Sequence, residues 1–442
     1  MTYDVVVIGA GPAGLAAATT AARHGARVAL LDDAERPGGQ YFRHRDGGEP
    51  AHGAREYAKL HKRLNAVDRL NGHRVWMIES GHPFTVHALR GHRDPTPVSL
   101  RATTLILATG AHDRVLPFPG WTLPGVYTAG AAQSLLTGQD VLIDGPVVVA
   151  GTGPFLLPVA TGLASASGDV LGVYEANRPG RDLVRLLGAP SRAAESGGYA
   201  AALARHRIGY HLGQTVVAAH GTERLEAVTI ATVDADWRIK PGSAKRVPCA
   251  SLAIGHGFTP RLDLALTLGV DVTPGPDGTP VVAVSATQRT SMPGVYAVGE
   301  VCGVGGARLS LAEGALAGYA VTGTRPPGRL LTRRAALRRF AQRLAAAFPV
   351  GDGWPGWLDE DTIVCRCESV PVERITAALA LGATDTRTVK LLSRAGMGPC
   401  QGRVCGAAVA RLAGLAPSAT PPRRLIAQPI RLGDLATDPT EH

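Results

Sequence analysis

Cysteine is missing from the first 248 residues of this 442-residue chain, and only six occur in all. That absence excludes a redox-active cysteine pair from more than half of the protein. Aromatic residues make up 5 %, and no aromatic-plus-basic recognition motif accompanies the net charge of +10. The excess of 46 Lys plus Arg over 36 Asp plus Glu therefore points away from nucleic acid and toward an anionic surface or an acidic partner. Uninterrupted apolar runs of spanning length are also lacking. Residues Val5 to Ala22 and Gly145 to Gly168 are uncharged and long enough, but glycines and prolines break both at strand-to-helix turns, so both read as buried βα units. The first strand begins by Tyr3, which leaves no room for a basic leader. The expected location is cytoplasmic, with peripheral contact at the inner face of the membrane left open.

What is present starts with a glycine turn. Val5 to Ile8 is a short β-branched run suited to a buried parallel strand. Gly9, Gly11 and Gly14 follow as G-x-G-x-x-G, with Pro12 and Ala13 between them, and Leu15 to Ala22 is rich in helix formers. A second strand, Arg27 to Leu31, ends on Asp32 and Asp33, with Asp32 18 residues beyond Gly14. This order predicts a dinucleotide site: tight turn, pyrophosphate at a helix N-terminus, and Asp32 on a ribose hydroxyl. Gly38-Gly39-Gln40 forms a loop in which glycine permits close approach to a ligand and Gln40 offers donor and acceptor. Thr103 to Gly110 is a further buried strand ending in Ala108-Thr109-Gly110. His112 and Arg114 just beyond it could reach a ligand or lie on a crossover. Between these motifs the pattern predicts a helix over Glu56 to Leu70 and short strands at Arg74 to Ile78, Phe84 to His87 and Val98 to Arg101.

The opening design then repeats. Val147 to Ala150, Gly151-Thr152-Gly153, a helix, and Val170 to Tyr174 ending at Glu175 outline a second Rossmann-type unit. Its third glycine is replaced by Leu156, which weakens the case for NAD(P) by holding helix and strand apart or by filling ligand space. Glu175 opposes a 2′-phosphate. Leu252 to Phe258 reads as the closing strand and turn, with His256 near any nucleotide or simply structural. Pro293 to Glu300 resembles the second FAD fingerprint of glutathione-reductase-like flavoproteins, in which the acid after the glycine bonds the ribityl chain. Here the pair is Gly299-Glu300, some 285 residues past Gly14, and a helix from about Leu309 to Ala320 follows it. The expected fold class is α/β: a two-dinucleotide-binding-domain flavoprotein, with a Rossmann-type FAD domain and an inserted NAD(P)-like domain.

Beyond a Thr324 to Gly328 linker, Leu330 to Phe348 reads as an amphipathic helix. Leu337, Phe340, Leu344 and Phe348 line one face, and Arg333, Arg334, Arg338, Arg339 and Arg343 cover the rest. It either docks on the chain's own core or meets a partner. Four of the six cysteines then fall in 41 residues: Cys365-x-Cys367 and Cys400-x4-Cys405, with 32 residues between the pairs. A disulfide framework does not suit a cytoplasmic chain, and structural zinc more often uses C-x2-C pairs. Four thiolates on glycine-rich loops suit a [2Fe–2S] cluster, although the spacing alone leaves zinc as an alternative. Cys249 and Cys302 are single and read as small buried hydrophobes.

The segments VCRCESV and KLLSRAGMGPCQGRVCG resemble the bacterioferritin-associated-ferredoxin type of [2Fe–2S] domain. With GAHDRVLPFPGWTLPGVYTAGAAQSLL and VVVAGTGPFLLPVA, nearly the whole chain resembles one subunit type found in hydrogen cyanide synthase, the opine dehydrogenases, and dye-linked proline or hydroxyproline dehydrogenases. The resemblance implies FAD and [2Fe–2S] as cofactors and, as partner, a second, substrate-oxidising flavoprotein subunit. It implies electron relay from oxidation of an amino acid or secondary amine to an acceptor such as a quinone. No residue presents itself as a proton-abstracting catalytic base. The alternatives are a self-contained NAD(P)H-dependent reductase and a nucleotide-holding scaffold subunit. The expected domains are 1–116 and 285–324 for the two halves of the FAD domain and 117–284 for the insertion. Residues 325–358 form the linker and basic helix, 359–415 the [2Fe–2S] domain, and 416–442 a polar tail.

Overall fold

A computed structural model describes residues 2–180, 190–415, 423–437 and 439–441. The chain forms two compact units, Met1–His112 with Thr259–Gln342 and Thr420–His442, and Asp113–Phe258 with Arg343–Ala419. The first is built around a mixed sheet and the second around a parallel one.

In the first unit β1 (Thr2–Ile8) leads into helix α1 (Pro12–Arg23) and then β2 (Val28–Asp32). Val5 to Val7 lie at the sheet centre and are buried on both faces, which is why this strand is a continuous apolar run. The expected helix from Glu56 to Leu70 is shorter. Helix α2 covers Ala54–Arg63, and Asp68–Asn71 instead forms β3, pairing in parallel with β2. Leu70 supplies the core contact, and Asn71-Gly72, with Gly72 at φ +66°, makes the turn into β4 (His73–Glu79). After β5 (Phe84–Arg90), two separately expected strands merge into β6 (Thr96–Leu107). Its first half pairs antiparallel with β5 and its second half parallel with β1. The sheet order is β3-β2-β1-β6-β5-β4.

The chain then enters the second unit. β7 (Val126–Thr128), helix α3 (Ala129–Gln139), β8 (Val147–Gly151), helix α4 (Leu156–Ser165), β9 (Val170–Glu175) and β10 (Gly209–Leu212) come in turn. A three-stranded antiparallel sheet follows, made of β11 (Gln214–His220), β12 (Ala227–Thr232) and β13 (Lys245–Pro248). β14 (Ser251–Gly255) completes the parallel sheet, in the order β10-β9-β8-β14-β7. Back in the first unit, β15 (Val295–Ala297) pairs with β6 and is followed by helix α5 (Ala307–Val321). Helix α6 (Gly328–Ala347) runs on into the second unit. There β16 (Ile363–Cys365), β17 (Val370–Pro371) and helices α7 (Val372–Ala380), α8 (Thr386–Ser393) and α9 (Gly406–Leu412) form the cysteine-bearing domain.

This small domain shares one apolar core with the inserted sheet, from Val148 and Leu252 through Trp237 and Trp357 to Val364 and Val409. The Trp237 and Trp357 rings stack 5.9 Å apart at 9°. Trp357 Nε1 donates to the Trp237 carbonyl at 2.9 Å, and Trp121 Nε1 donates to the Ile363 carbonyl at 2.5 Å. Burying indoles with their N–H groups satisfied makes this junction strong. The polar tail proves informative where it is described. Ala427 donates its N–H to the Trp76 carbonyl, and β18 (Thr440–Glu441) pairs with β6. Residues 416–422 of that tail lie outside the described residues. Among the described residues, no helix is long and apolar enough to cross a membrane.

Candidate functional site

The first glycine turn is built from close approaches. A Cβ on Gly9, which sits at φ +106°, would meet the Ala108 carbonyl oxygen at 2.3 Å, and one on Gly14 would meet the Gly9 oxygen at 1.7 Å. The turn is thereby pressed against the end of β6, which brings Ala108, Thr109 and Gly110 beside it. A Cβ on Gly39 would fall 2.7 Å from the Gly11 Cα, and Gly38 donates its N–H to Ala10 at 2.7 Å. The loop carrying Gly39 and Gln40 therefore lies along the turn. Gly299, at φ +78°, comes close enough that its Cβ would sit 2.8 Å from the Ala13 Cβ. All the residues singled out from sequence for this site, from Gly9 to Gly299 and Glu300, belong to one unit.

The acids at this site are occupied by the chain's own backbone. Asp32 accepts the Ala10 N–H at 2.5 Å and the Ala34 N–H at 2.8 Å. Burial pushes its carboxyl above the usual carboxylate range, while those two donors pull it down. Two oxygens with about four acceptor positions leave capacity for a hydroxyl as well. Glu300 accepts the Gly306 N–H at 2.8 Å and the Gly305 N–H at 3.2 Å, which fixes the loop leading into α5. Burial is again the main cause of its raised pKa.

Sequence reasoning missed Glu313. Its side chain is fully buried, and it accepts the Gly299 N–H at 3.1 Å while pairing with Arg334 and Arg338 of α6. Arg338 also donates to the Gly303 carbonyl at 3.1 Å. Two arginines expected to cover the solvent side of α6 thus point inward and tie that helix to the Gly299 turn. The signal that could have located α5 is Gly314-x-x-x-Gly318. A Cβ on Gly314 would meet the Ala13 oxygen at 2.0 Å, so α5 lies directly on α1.

The second glycine turn has a different economy. Glu175 accepts the Gly153 N–H at 2.7 Å and the Asn177 N–H at 2.9 Å. Asp32 reaches only the second residue of its turn, Ala10; the longer Glu175 reaches the third, Gly153. The N–H corresponding to that of Gly11 is therefore held by the protein's own carboxylate. Thr152 gives its N–H to the Gly255 carbonyl, and Pro154 has none to give. Asn177 bridges the Thr152 hydroxyl, at 2.6 Å, and the Pro349 carbonyl, at 2.9 Å, and accepts from Trp237 Nε1 at 3.2 Å. Leu156 is fully buried, and its Cδ2 would lie 3.4 Å from a Cβ placed on Gly255. Phe155 packs edge-on against Phe258 at 5.0 Å. Burial raises the Glu175 pKa to about 7, against the lowering effect of its N–H donors. His256 is buried with Nε2 unpartnered, and burial, aided by Arg114, lowers its pKa to about 3, so the ring is neutral. Arg114 itself donates to the Phe258 carbonyl at 3.1 Å.

The four clustered cysteines converge. The Cys367 and Cys400 thiols interact directly, as do those of Cys365 and Cys405. Cys365 and Cys405 are buried, Cys400 is half-buried and Cys367 is exposed. Backbone donors surround the sulfurs. Gly396 donates to Cys365 at 3.4 Å, and Val404, Gly402 and Arg403 donate to Cys400. Burial alone would raise the Cys400 thiol, but these donors and Cys367 outweigh it and lower the pKa. Among the described residues no three of His, Cys, Asp or Glu are grouped around a single-ion site. Two thiol pairs with N–H groups directed at sulfur fit a [2Fe–2S] cluster, whose sulfurs accept such bonds. Cys249 and Cys302 lie apart from this group and are buried; burial pushes the Cys249 thiol to about 11.

Comparison with known proteins agrees with this division. Residues 3–318 match the pyridine nucleotide-disulphide oxidoreductase family, and residues 363–413 match the BFD-like [2Fe-2S] binding domain. The chain is 34 % identical over 432 residues to hydrogen cyanide synthase subunit HcnB of Pseudomonas protegens, covering 92 % of this chain and 90 % of that protein. It is 32 % identical over 440 residues to an opine oxidase subunit of Agrobacterium tumefaciens, covering 93 % and 85 %. Among solved structures, L-proline dehydrogenase from P. horikoshii has the same fold. The TM-score is 0.71 at 21 % identity, over 99 % of this chain and 80 % of that one. FAD and a [2Fe–2S] cluster are accordingly the cofactors of this chain. It belongs to the pyridine nucleotide-disulphide oxidoreductase family, in the branch that carries a C-terminal BFD-like [2Fe–2S] domain and includes HcnB of hydrogen cyanide synthase and its counterpart in opine oxidase.

Proposed function

We propose that this chain is the electron-relaying subunit of an enzyme that oxidises an amino acid or secondary amine at a CH–NH bond. Its partner, a second flavoprotein subunit, removes the hydride. The observation that carries this reading is the contrast between the two glycine turns. The Gly153 N–H, which a nicotinamide dinucleotide would need for its pyrophosphate, is already bonded to Glu175. An NAD(P)H-fed reductase requires that turn to be open, so the reducing electrons have another source. The relatives support an amine as that source: one is named for hydrogen cyanide synthesis and one for opine oxidation. Both are named as subunits, which supports a hetero-oligomer.

In this reading Gly9, Gly11, Pro12, Ala13 and Gly14 cradle the FAD pyrophosphate at the N-terminus of α1. Asp32, with Asp33 beside it, binds ribose. Gly39, Gln40, Ala108, Thr109, Gly110, Gly299 and Glu300 line the rest of the flavin site. Cys365, Cys367, Cys400 and Cys405 hold the cluster. Bound flavin accepts electrons in pairs and releases them singly, and the cluster carries one at a time. The chain's own task is to hold both groups in fixed, largely dry surroundings. Glu313 and Glu300 fix the backbone around the flavin, and N–H donors to the cysteine sulfurs set the cluster's potential. No side chain here is assigned as a proton-abstracting base. A quinone on the inner face of the membrane suits a cytoplasmic relay as final acceptor.

The test is to isolate the chain together with its co-purifying flavoprotein subunit. Glycine, proline, hydroxyproline and an opine are then added in turn under anaerobic conditions. One of them should produce the electron-paramagnetic signal of a reduced cluster in the complex and none in this chain alone. Full reduction of the isolated chain by an amine would overturn the division of labour.

A further inference from the structure

The four cysteines are not equally placed. Cys365 and Cys405 are 1 % and 2 % exposed, whereas Cys367 is on the surface and Cys400 is half-buried. The cluster pocket therefore has an inner half in the shared apolar core and an outer half at solvent. Electron transfer between proteins falls off steeply with distance, so the surface around the outer half is the natural place of exit.

That surface has a definite composition. Glu368, next to Cys367, is gripped by the Arg394 fork at 3.0 and 2.8 Å, which joins the end of α8 to the cysteine loop. On α8, Arg387 and Leu391 lie at i and i+4 and so share one face, while Val389 and Ser393 face the core and Arg394 caps the C-terminal end at φ +69°. Leu391 is 62 % exposed and the adjoining Leu392 49 %. Two apolar side chains of this size thus stand in water on the helix that Arg394 ties to the cysteine loop. Arg366 stands exposed between the two cysteines of the first pair, and Arg403 donates to the Cys400 carbonyl at 3.3 Å. Four guanidinium groups (366, 387, 394 and 403) thus accompany two carboxylates, Glu368 and the helix-capping Asp385.

We propose that this face is the docking surface for an acidic one-electron carrier protein. The carrier would present an apolar centre to Leu391 and Leu392 and carboxylates to the surrounding arginines. Such an arrangement, a small dry centre with a charged rim, suits a transient redox encounter steered by complementary charge. A lipid surface fits less well. The helix has only eight residues, its two exposed leucines make no continuous apolar stripe, and Glu368 and Asp385 would face the headgroups. The proposal rests on the relay reading and adds the exit to it. Each two-electron oxidation upstream would discharge in two successive encounters, the reduced cluster giving one electron each time to an oxidised carrier.

The experiment needs neither the amine nor the substrate-oxidising partner, so its failure is separable from failure of the relay reading. The cofactor-loaded chain is reduced with dithionite, freed of excess reductant and mixed in stopped flow with either of two protein acceptors. One is an acidic blue-copper protein and the other a basic c-type cytochrome, both of high potential, and both are followed through their own visible bands. At low ionic strength the acidic acceptor should be reduced at least about tenfold faster, and the advantage should vanish as salt rises. Arg387→Glu, about two helical turns before the Arg394 fork, should reverse or abolish the preference. Leu391→Ser should slow the acidic acceptor severalfold without altering its salt dependence. An unchanged cluster spectrum in each variant shows that the domain is intact. Equal rates for the two acceptors, or a preference untouched by Arg387→Glu, would overturn the proposal. So would loss of the reaction on adding vesicles rich in phosphatidylglycerol, which would give the face to a membrane.

Discussion

Arg338 of α6 forms an ion pair with Glu313 of α5, and Glu313 in turn accepts the backbone N–H of Gly299. Through two side chains, α6 is bonded to the Gly299 turn, which we propose lines the flavin site. Glu313 is fully buried and Arg338 largely so. Breaking a buried pair leaves one charge uncompensated, which costs more than the pair itself contributes. Arg338→Ala is therefore expected to destabilise the protein by about 3 kcal/mol, since Arg334 still partly neutralises Glu313. Glu313→Ala should cost more and release flavin. Chemical denaturation followed by flavin fluorescence checks both, and a loss below about 0.5 kcal/mol for Arg338→Ala would place the pair among weak surface bridges.

Glycine contacts give a sharper steric expectation. Gly314→Val puts branched carbon where the Ala13 carbonyl oxygen already sits, in a helix pair with no room to give. Overpacking of this kind costs about 1–3 kcal/mol and sometimes more. The variant should fold poorly or lose FAD, whereas Gly306→Ala, with nothing within 4 Å of its Cβ but φ at +79° and ψ at 169°, should cost about 1–3 kcal/mol of backbone strain alone and keep FAD. Thermal melts and flavin content of the two variants test the contrast.

Glu175 makes stability depend on pH. Its folded pKa of about 7 lies above the ordinary carboxyl value, so the folded state holds a proton that the unfolded chain has released. Its favourable contribution is complete below the unfolded pKa, near 4.5, and is lost as pH rises through 7. With the group fully buried, the loss between those limits is about 3 kcal/mol by linkage. Glu175→Gln should flatten that part of the profile. Urea midpoints measured from about pH 5 to 8 in wild type and variant give the answer, and parallel slopes would contradict it.

Much of this was legible in the sequence, and the reasons differ from place to place. The Gly9 turn and the four-cysteine pattern could be read because local spacing dictates their chemistry. Leu156 signalled that the second turn was altered, but not how. Which N–H a carboxylate one methylene longer would reach depends on the path of α4. Glu313 gave no local sign, since its partners lie 14, 21 and 25 residues further along or back and meet only when α5 and α6 fold together. The helix expected to run through Leu70 failed for a tertiary reason: β2 offered an open edge, and Asp68–Asn71 filled it.

Removing one of the four cysteines proposed to hold the cluster should separate the two cofactors. Cys405→Ala is expected to abolish the broad visible absorption and the acid-labile sulfide of the cluster while FAD stays bound, because the turns proposed to hold flavin lie in the other unit. Iron and zinc analysis of the wild type belongs with this experiment. Two irons per chain are expected, and stoichiometric zinc without sulfide would rule the cluster out.

The measurement that reaches the central claim most directly is a visible spectrum of the isolated chain under anaerobic conditions, before and after adding NADH. The closed Gly153 turn predicts flavin and cluster bands that NADH leaves unbleached, with dithionite bleaching both. Rapid bleaching by NADH would show that the inserted domain admits a nicotinamide dinucleotide despite Glu175, and would make this chain a reductase in its own right.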